Sequence, residues 1–192
     1  MVDVSDSPRW WHLRQAVAAL DAGGLIAYPT EAVWGLGCDP WDEDAVDYLL
    51  QIKARPRHKG MILVAADVEQ VMPWLDELDE SLRKRALTYW PGPNTLLVPD
   101  PKGYAPEWIR GRHDSVAIRV SDHPGVQALC RAFGGPLVST SCNPAGGQPA
   151  RYPWQVARYF RDELDAQLPG PLGRSRRPSR IIDLRSGQLI RP

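Results

Sequence analysis

Residues 124–144, PGVQALCRAFGGPLVSTSCNP, decide the fold. His123 and Pro124 read as a helix start, and apolar residues recur at helical spacing from Val126 to Phe133. Pro136-Leu137-Val138 then enters as a buried strand, so one helix feeds one strand within a short span. The strand does not continue as a core strand would. It turns into Ser139, Thr140, Ser141, Cys142 and Asn143 before stopping at Pro144: small residues, four with hydrogen-bonding side chains, where Val or Ile would pack better. If the backbone stays extended, Ser139, Ser141 and Asn143 face one way, because side chains alternate along a strand. Two readings are open: a polar wall for a ligand, or a turn whose side chains bond their own backbone. Spacing does not choose between them.

The same alternation runs outward in both directions. Ser7-Pro8 reads as a helix N-cap with proline at the first helical position, and Trp10, Leu13, Val17 and Leu20 follow at helical spacing until Gly23-Gly24. Residues 25–28 predict a strand closed by Pro29. Ala45, Val46, Leu49, Leu50 and Ile52 predict a helix ending before Pro56. Strands are expected at 61–64, 95–98 and 116–120, and helices around Val71 and over 81–89. The expectation is an α/β domain with a mixed sheet and flanking helices. Residues 99–114 and 168–180 are turn-rich and partly basic and read as surface loops.

Composition sets the limits. With 192 residues, 43% of them hydrophobic, the chain is long enough for one well-buried core, and a single domain over 1–192 is expected. Lys plus Arg and Asp plus Glu balance at 23 each, so this is not the strongly basic body that nonspecific nucleic-acid binding requires. Any anion site must be local. Three cysteines with no CxxC pair fit a reducing compartment, and the polar start without an apolar run predicts a soluble, cytoplasmic protein with no membrane span. There is no GxxxxGK[ST], no third glycine after Gly35-Leu36-Gly37 to make GxGxxG, and no GxSxG. No Cys/His spacing resembles a zinc site, so no metal ligands are assigned.

Lys53-Ala54-Arg55-Pro56-Arg57-His58-Lys59-Gly60 packs four cations and a histidine into eight residues. Its cations either complement the negative end of a helix dipole or serve an anion. For the second reading, Pro56 pushes Arg55 out of the helical region, so that Lys53 and Arg55 could converge on one polyanion.

Several stretches together resemble the YrdC family, and within it the short bacterial form. They are YPTEAVWGLG at 28–37, Lys53-x-Arg55-Pro56, WPGPxT at 90–95, AIRVxDHP at 117–124 and STSCN at 139–143, in the family's order over nearly the whole chain. The resemblance implies a single YrdC-like domain around a concave basic cavity, without the separate C-terminal domain of the long form. It implies a nucleotidyltransferase that turns L-threonine, bicarbonate or CO2, and ATP into threonylcarbamoyl-AMP and pyrophosphate. The product serves modification of the adenosine beside the anticodon in tRNAs reading codons that begin with A. Carried over position by position, Lys53, Arg55, Ser141 and Asn143 surround the phosphates and carry catalysis, with Lys59, Ser115 and Arg191 as further nucleotide contacts. Thr30, Arg119, Ser139, Thr140 and Ser179 bind threonine, and Mg2+ accompanies the triphosphate. The downstream tRNA threonylcarbamoyl-transfer proteins are implied as partners, together with a weak RNA contact.

Three positions depart from the family pattern. Ala32 stands where YPTET has a second Thr, Arg180 replaces the Thr of the PST motif, and Cys142 stands where Ala is common. Cys142 reads as a small buried hydrophobe without chemistry. The alternative from another class is a non-catalytic module for double-stranded RNA or tRNA, built on residues 53–59 with Arg174, Arg176, Arg177 and Arg180. The eight tryptophans read as core residues, not as a binding platform.

Overall fold

The structure, a computed structural model, describes residues 10–175 and 177–192. The expected Ser7-Pro8 cap and Arg176 lie outside the described residues. The chain runs α1 (Trp10–Asp21), β1 (Ile26–Pro29), β2 (Trp34–Gly37), α2 (Glu43–Ile52), β3 (Ile62–Ala65), α3 (Met72–Leu75), α4 (Glu80–Tyr89) and β4 (Asn94–Pro99). It continues through α5 (Glu107–Arg110), β5 (Ser115–Val120), α6 (Pro124–Phe133), β6 (Leu137–Ser141), α7 (Pro153–Phe160), β7 (Ala166–Gln167), β8 (Arg180–Asp183) and β9 (Leu189–Arg191). The strands form one mixed sheet in the order β7-β1-β2-β6-β3-β5-β4-β8-β9. β6 sits between β2 and β3 and is antiparallel to both.

Helices cover both faces of the sheet around β1 and β3, which is why those two strands read as apolar runs and not as polar–apolar alternations. On one face Ile26, Tyr28, Val64 and Leu137 pack against Ala16 and Leu20 of α1 and Val126 and Leu129 of α6. On the other, Ala27, Leu63, Ala65 and Val138 join α2, α4 and α7 in a larger core. The helix ends are capped as the sequence dictates. Asp42 Oδ1 accepts from Ala45 N at 3.0 Å, Asp79 Oδ1 accepts from Leu82 N at 2.9 Å, and His123 Nδ1 accepts from Val126 N, so His123 is the expected structural helix-start residue.

The structure adds elements that the patterns did not predict. β2 carries two glycines in four residues, a composition that disfavours a strand, yet it pairs along β1 from Ile26↔Gly37 to Pro29↔Trp34. A Cβ on Gly37 would lie 2.4 Å from the Val138 carbonyl oxygen and 2.9 Å from the Tyr28 ring, so a close approach of backbone and ring requires that glycine. α5, inside the 99–114 stretch read as a surface loop, and α7, β7 and β8 are likewise additional, and the helix expected around Val71 is a 3-10 turn followed by the single turn of α3. The tryptophans divide against expectation. Trp34, Trp74 and Trp90 are core residues, whereas Trp10, Trp11, Trp41 and Trp154 are exposed.

Candidate active site

A cavity of about 380 Å³ lies on the α1/α6 face of the sheet, where those helices leave the strands uncovered. Its floor follows from register. Gly35 opposes Ser141, and Ser139, Ile62, Ala117 and Leu97 lie across consecutive strands, so these side chains share one face. All of them line the cavity. The small residues of β6 therefore fall where large ones would fill the space. Ser139, Thr140 and Ser141 line it. Asn143 lies beyond the strand end, its Oδ1 accepting from Ser141 Oγ at 2.6 Å.

The basic cluster separates its cations in three directions. α2 ends in a Schellman motif: Ala54 N donates to Gln51 O at 2.9 Å and Arg55 N to Leu50 O at 2.9 Å, with Ala54 at φ 48° in the left-handed region. This turn, with the extended Pro56 behind it, sends Lys53 and Arg55 apart. Lys53 is buried, and its Nζ donates to Ser141 O at 2.5 Å and Asn143 O at 2.9 Å, tying the end of β6 to the end of α2. Burial lowers its pKa to about 8; Cys142 opposes the shift, and the charge of Arg55 adds to it more weakly. Arg55 lines the cavity, with Nη2 donating to Gly60 O at 2.8 Å and a buried Nε without a hydrogen-bond partner among the described residues. Arg57 turns outward to Glu43 and Asp47, while Lys59 lines the cavity. Lys53 and Arg55 therefore do not converge as expected; Arg55 and Lys59 are the cations of the cluster that line the cavity.

A second group of charges forms the opposite wall. Thr30 lines the cavity, its hydroxyl donating to Val33 O at 2.7 Å. Arg119 projects from β5, with one guanidinium nitrogen paired to the buried carboxylate of Glu31 and Nε donating to Gly92 O at 3.3 Å. Burial opposes ionisation of Glu31, but Arg119 and the Ser121 hydroxyl outweigh it and hold this carboxyl below the usual range. Burial and the neighbouring Glu31 raise Asp122. Ser179 Oγ shares a 2.8 Å hydrogen bond with Thr95 Oγ1, and Arg191 Nη2 donates to Ser179 O at 2.7 Å. Burial, followed by the charges of Arg119 and Arg55, lowers the Arg191 pKa, so three guanidiniums feel one another across this space. Ser115, at the start of β5, completes the rim.

Every residue expected at the site lines the cavity except Lys53 and Asn143, which abut it through the backbone and side chain of Ser141. The departures have definite places. Ala32 is buried in the lining; Arg180 turns to Asn94 Oδ1 at 2.8 Å; and burial pushes the Cys142 thiol up to about 12 despite Lys53 beside it, so it supplies no nucleophile. Glu31, Arg110, His113 and Arg177 also line the cavity and were given no role there by the sequence. The signal for Glu31 was within YPTE, where an acid between two apolar strands calls for a buried cation.

The fold and the cavity define the class: a mixed α/β protein with a cation-lined pocket. Within that class, the chain belongs to the Sua5/YciO/YrdC family, whose model, described as "Telomere recombination", matches residues 18–192. It is 60% identical over 191 residues to a threonylcarbamoyl-AMP synthase of Marinobacter nauticus and 55% identical over 192 residues to that of Cellvibrio japonicus, covering 100% of each chain in both cases. Among solved structures it is similar to P. abyssi Sua5 complexed with L-threonine, with a TM-score of 0.87 and 31% identity. That alignment covers 97% of this chain and 56% of the Sua5 chain.

Proposed function

We propose that the protein is a threonylcarbamoyl-AMP synthase, an ATP-dependent nucleotidyltransferase acting in tRNA modification. The observation that carries this reading is the convergence of Arg55, Arg119 and Arg191 on one cavity whose floor is the hydroxyl-rich end of β6. The names of the relatives at 55–60% identity support it. Two anions, a nucleotide phosphate chain and an amino-acid carboxylate, account for cations on opposite walls.

In this reading the threonine amine attacks the carbon of CO2, or of bicarbonate with loss of water, and gives up a proton to form the carbamate. A carbamate oxygen then attacks the α-phosphorus, and pyrophosphate leaves. No protein nucleophile enters; the chain orients two bound molecules and neutralises charge. Arg55, Lys59, Ser115, Ser141, Asn143 and Arg191 serve the nucleotide, with Lys53 holding the Ser141–Asn143 backbone. Thr30, Arg119, Ser139, Thr140 and Ser179 serve threonine. Mg2+ would be held chiefly by triphosphate oxygens and water, where it would offset phosphate charge.

The reading takes residues 1–192 as one domain of a cytoplasmic protein that passes its product to the tRNA threonylcarbamoyl-transfer proteins, with at most weak RNA contact. No described helix is long and apolar enough to cross a membrane, and the three cysteines are buried and unpaired. The RNA-module alternative is not favoured. Arg57 is engaged by two acids, and Arg55 is turned into the cavity. The test is pyrophosphate release from ATP and Mg2+, expected only when threonine and bicarbonate are both present. Release independent of threonine would overturn the reading.

A further inference from the structure

We infer that Glu31 is a positioning residue that fixes the Arg119 guanidinium and presents its remaining nitrogen, Nη1, to the carboxylate of the amino-acid substrate. The inference rests on the reading of the cavity as a threonine and nucleotide site. Glu31 is 5% exposed and lies in the cavity wall. Arg119 Nη2 is paired with Glu31 and Nε donates to Gly92 O, whereas Nη1 has no protein partner among the described residues. A planar guanidinium held at two of its three nitrogens has one orientation left for the third.

Glu31 is itself fixed. Its Oε1 accepts from Ser121 Oγ at 2.6 Å, and Ser121 is anchored to β3 through Ser121 N donating to Ala65 O at 3.0 Å. The Glu31 carbonyl accepts from Ser175 N at 3.0 Å, and a Cβ on Gly173 would lie 2.7 Å from Glu31 Cα, so the loop before β8 is pressed against this residue. A relay runs from Ser121 through Glu31 to Arg119.

The charge of Glu31 has a further consequence. Arg55 and Arg191 share the cavity with Arg119, and a triphosphate would draw all three guanidiniums together. Pairing with Glu31 holds Arg119 back at one wall, so the cavity keeps two separate anion subsites instead of one. Glu31 is not placed to act as a base: Oε1 accepts from Ser121, Oε2 lies in the ion pair with Arg119 without a hydrogen bond among the described residues, and Arg119 and Ser121 keep the carboxylate ionised.

The experiment measures pyrophosphate release and ATP affinity per folded molecule for Glu31→Gln, Arg119→Gln and the double variant. Glu31→Gln is expected to raise the threonine KM about tenfold, the effect of losing one charge-assisted contact, while ATP binding is not weakened, since the released Arg119 is free to turn to the phosphates. In the Arg119→Gln background the same change is expected to add nothing, because the relay has lost its end. An unchanged threonine KM, or an equal loss of kcat in both backgrounds, overturns the assignment. If Glu31→Gln does not fold, Ser121→Ala loosens the same carboxylate and is expected to raise the threonine KM severalfold, again only when Arg119 is present; no rise overturns the assignment. Wild-type protein that releases no pyrophosphate in response to threonine would remove the functional reading and, with it, this one.

Discussion

Replacing Arg191 with alanine tests whether the end of the chain is part of the site or only part of the sheet. The guanidinium makes one good hydrogen bond, Nη2 to Ser179 O at 2.7 Å, and two long ones of 3.3 Å to Ser179 O and Oγ. One such bond contributes about 1 kcal/mol net, and relief of repulsion from Arg119 and Arg55 offsets part of its loss. The melting temperature should therefore fall by no more than about 2–4 °C. A nucleotide phosphate would lose a charge-assisted partner, about 1.5–3 kcal/mol, so ATP affinity should fall by roughly ten- to a hundredfold. Leu189 and Ile182 still pair β9 with β8 in the variant, which leaves the strand in place. The assay is ATP titration by calorimetry beside a thermal melt, with Arg191→Lys as the variant that keeps charge but loses the fork. A large drop in melting temperature with unchanged affinity per folded molecule would refute the reasoning and make the tail structural.

Other outcomes follow from single contacts. Ala54→Gly removes a side chain from a left-handed position and should stabilise the fold by about 1 kcal/mol in urea denaturation; destabilisation would mean that the turn is not as described. Burial lowers Lys53 from the ordinary 10.5 to about 8, so between those values the unfolded chain binds the extra proton and stability should rise with pH. The difference in urea midpoint between wild type and Lys53→Met should carry that slope, and a flat difference from pH 8 to 10.5 would count against it. Gly173→Ala would press a Cβ onto Glu31 Cα and should raise the threonine KM more than the ATP KM; equal changes in both would point to a general loosening.

Much of the fold was legible because buried strands and amphipathic helices advertise themselves. Residues 95–98, 116–120 and 126–133 fall within β4, β5 and α6, since apolar periodicity is a local property. β2 was not legible, because Gly35 and Gly37 belong to the strand for the sake of Tyr28 and Thr30, which come from elsewhere in the chain. The candidate site was legible as residue types, not as directions. Nothing local distinguishes Lys53, turned to β6, from Arg55, turned to the cavity; the left-handed Ala54 between them does so. Glu31 needed its distant partner Arg119 to acquire a meaning.

Among the described residues, β6 alone links β7-β1-β2 on one side to β3-β5-β4-β8-β9 on the other. The strand that floors the cavity is thus also the seam of the molecule, hydrogen-bonded along both edges. Opening it would divide the sheet in two, so the backbone amides of Val138 to Ser141 should exchange with solvent only when the whole protein unfolds. Whatever motion admits and releases ligands must come from the rim, where the loop before β8 and the strand β9 meet the cavity. The floor can then stay rigid through every turnover, with access governed entirely from above it.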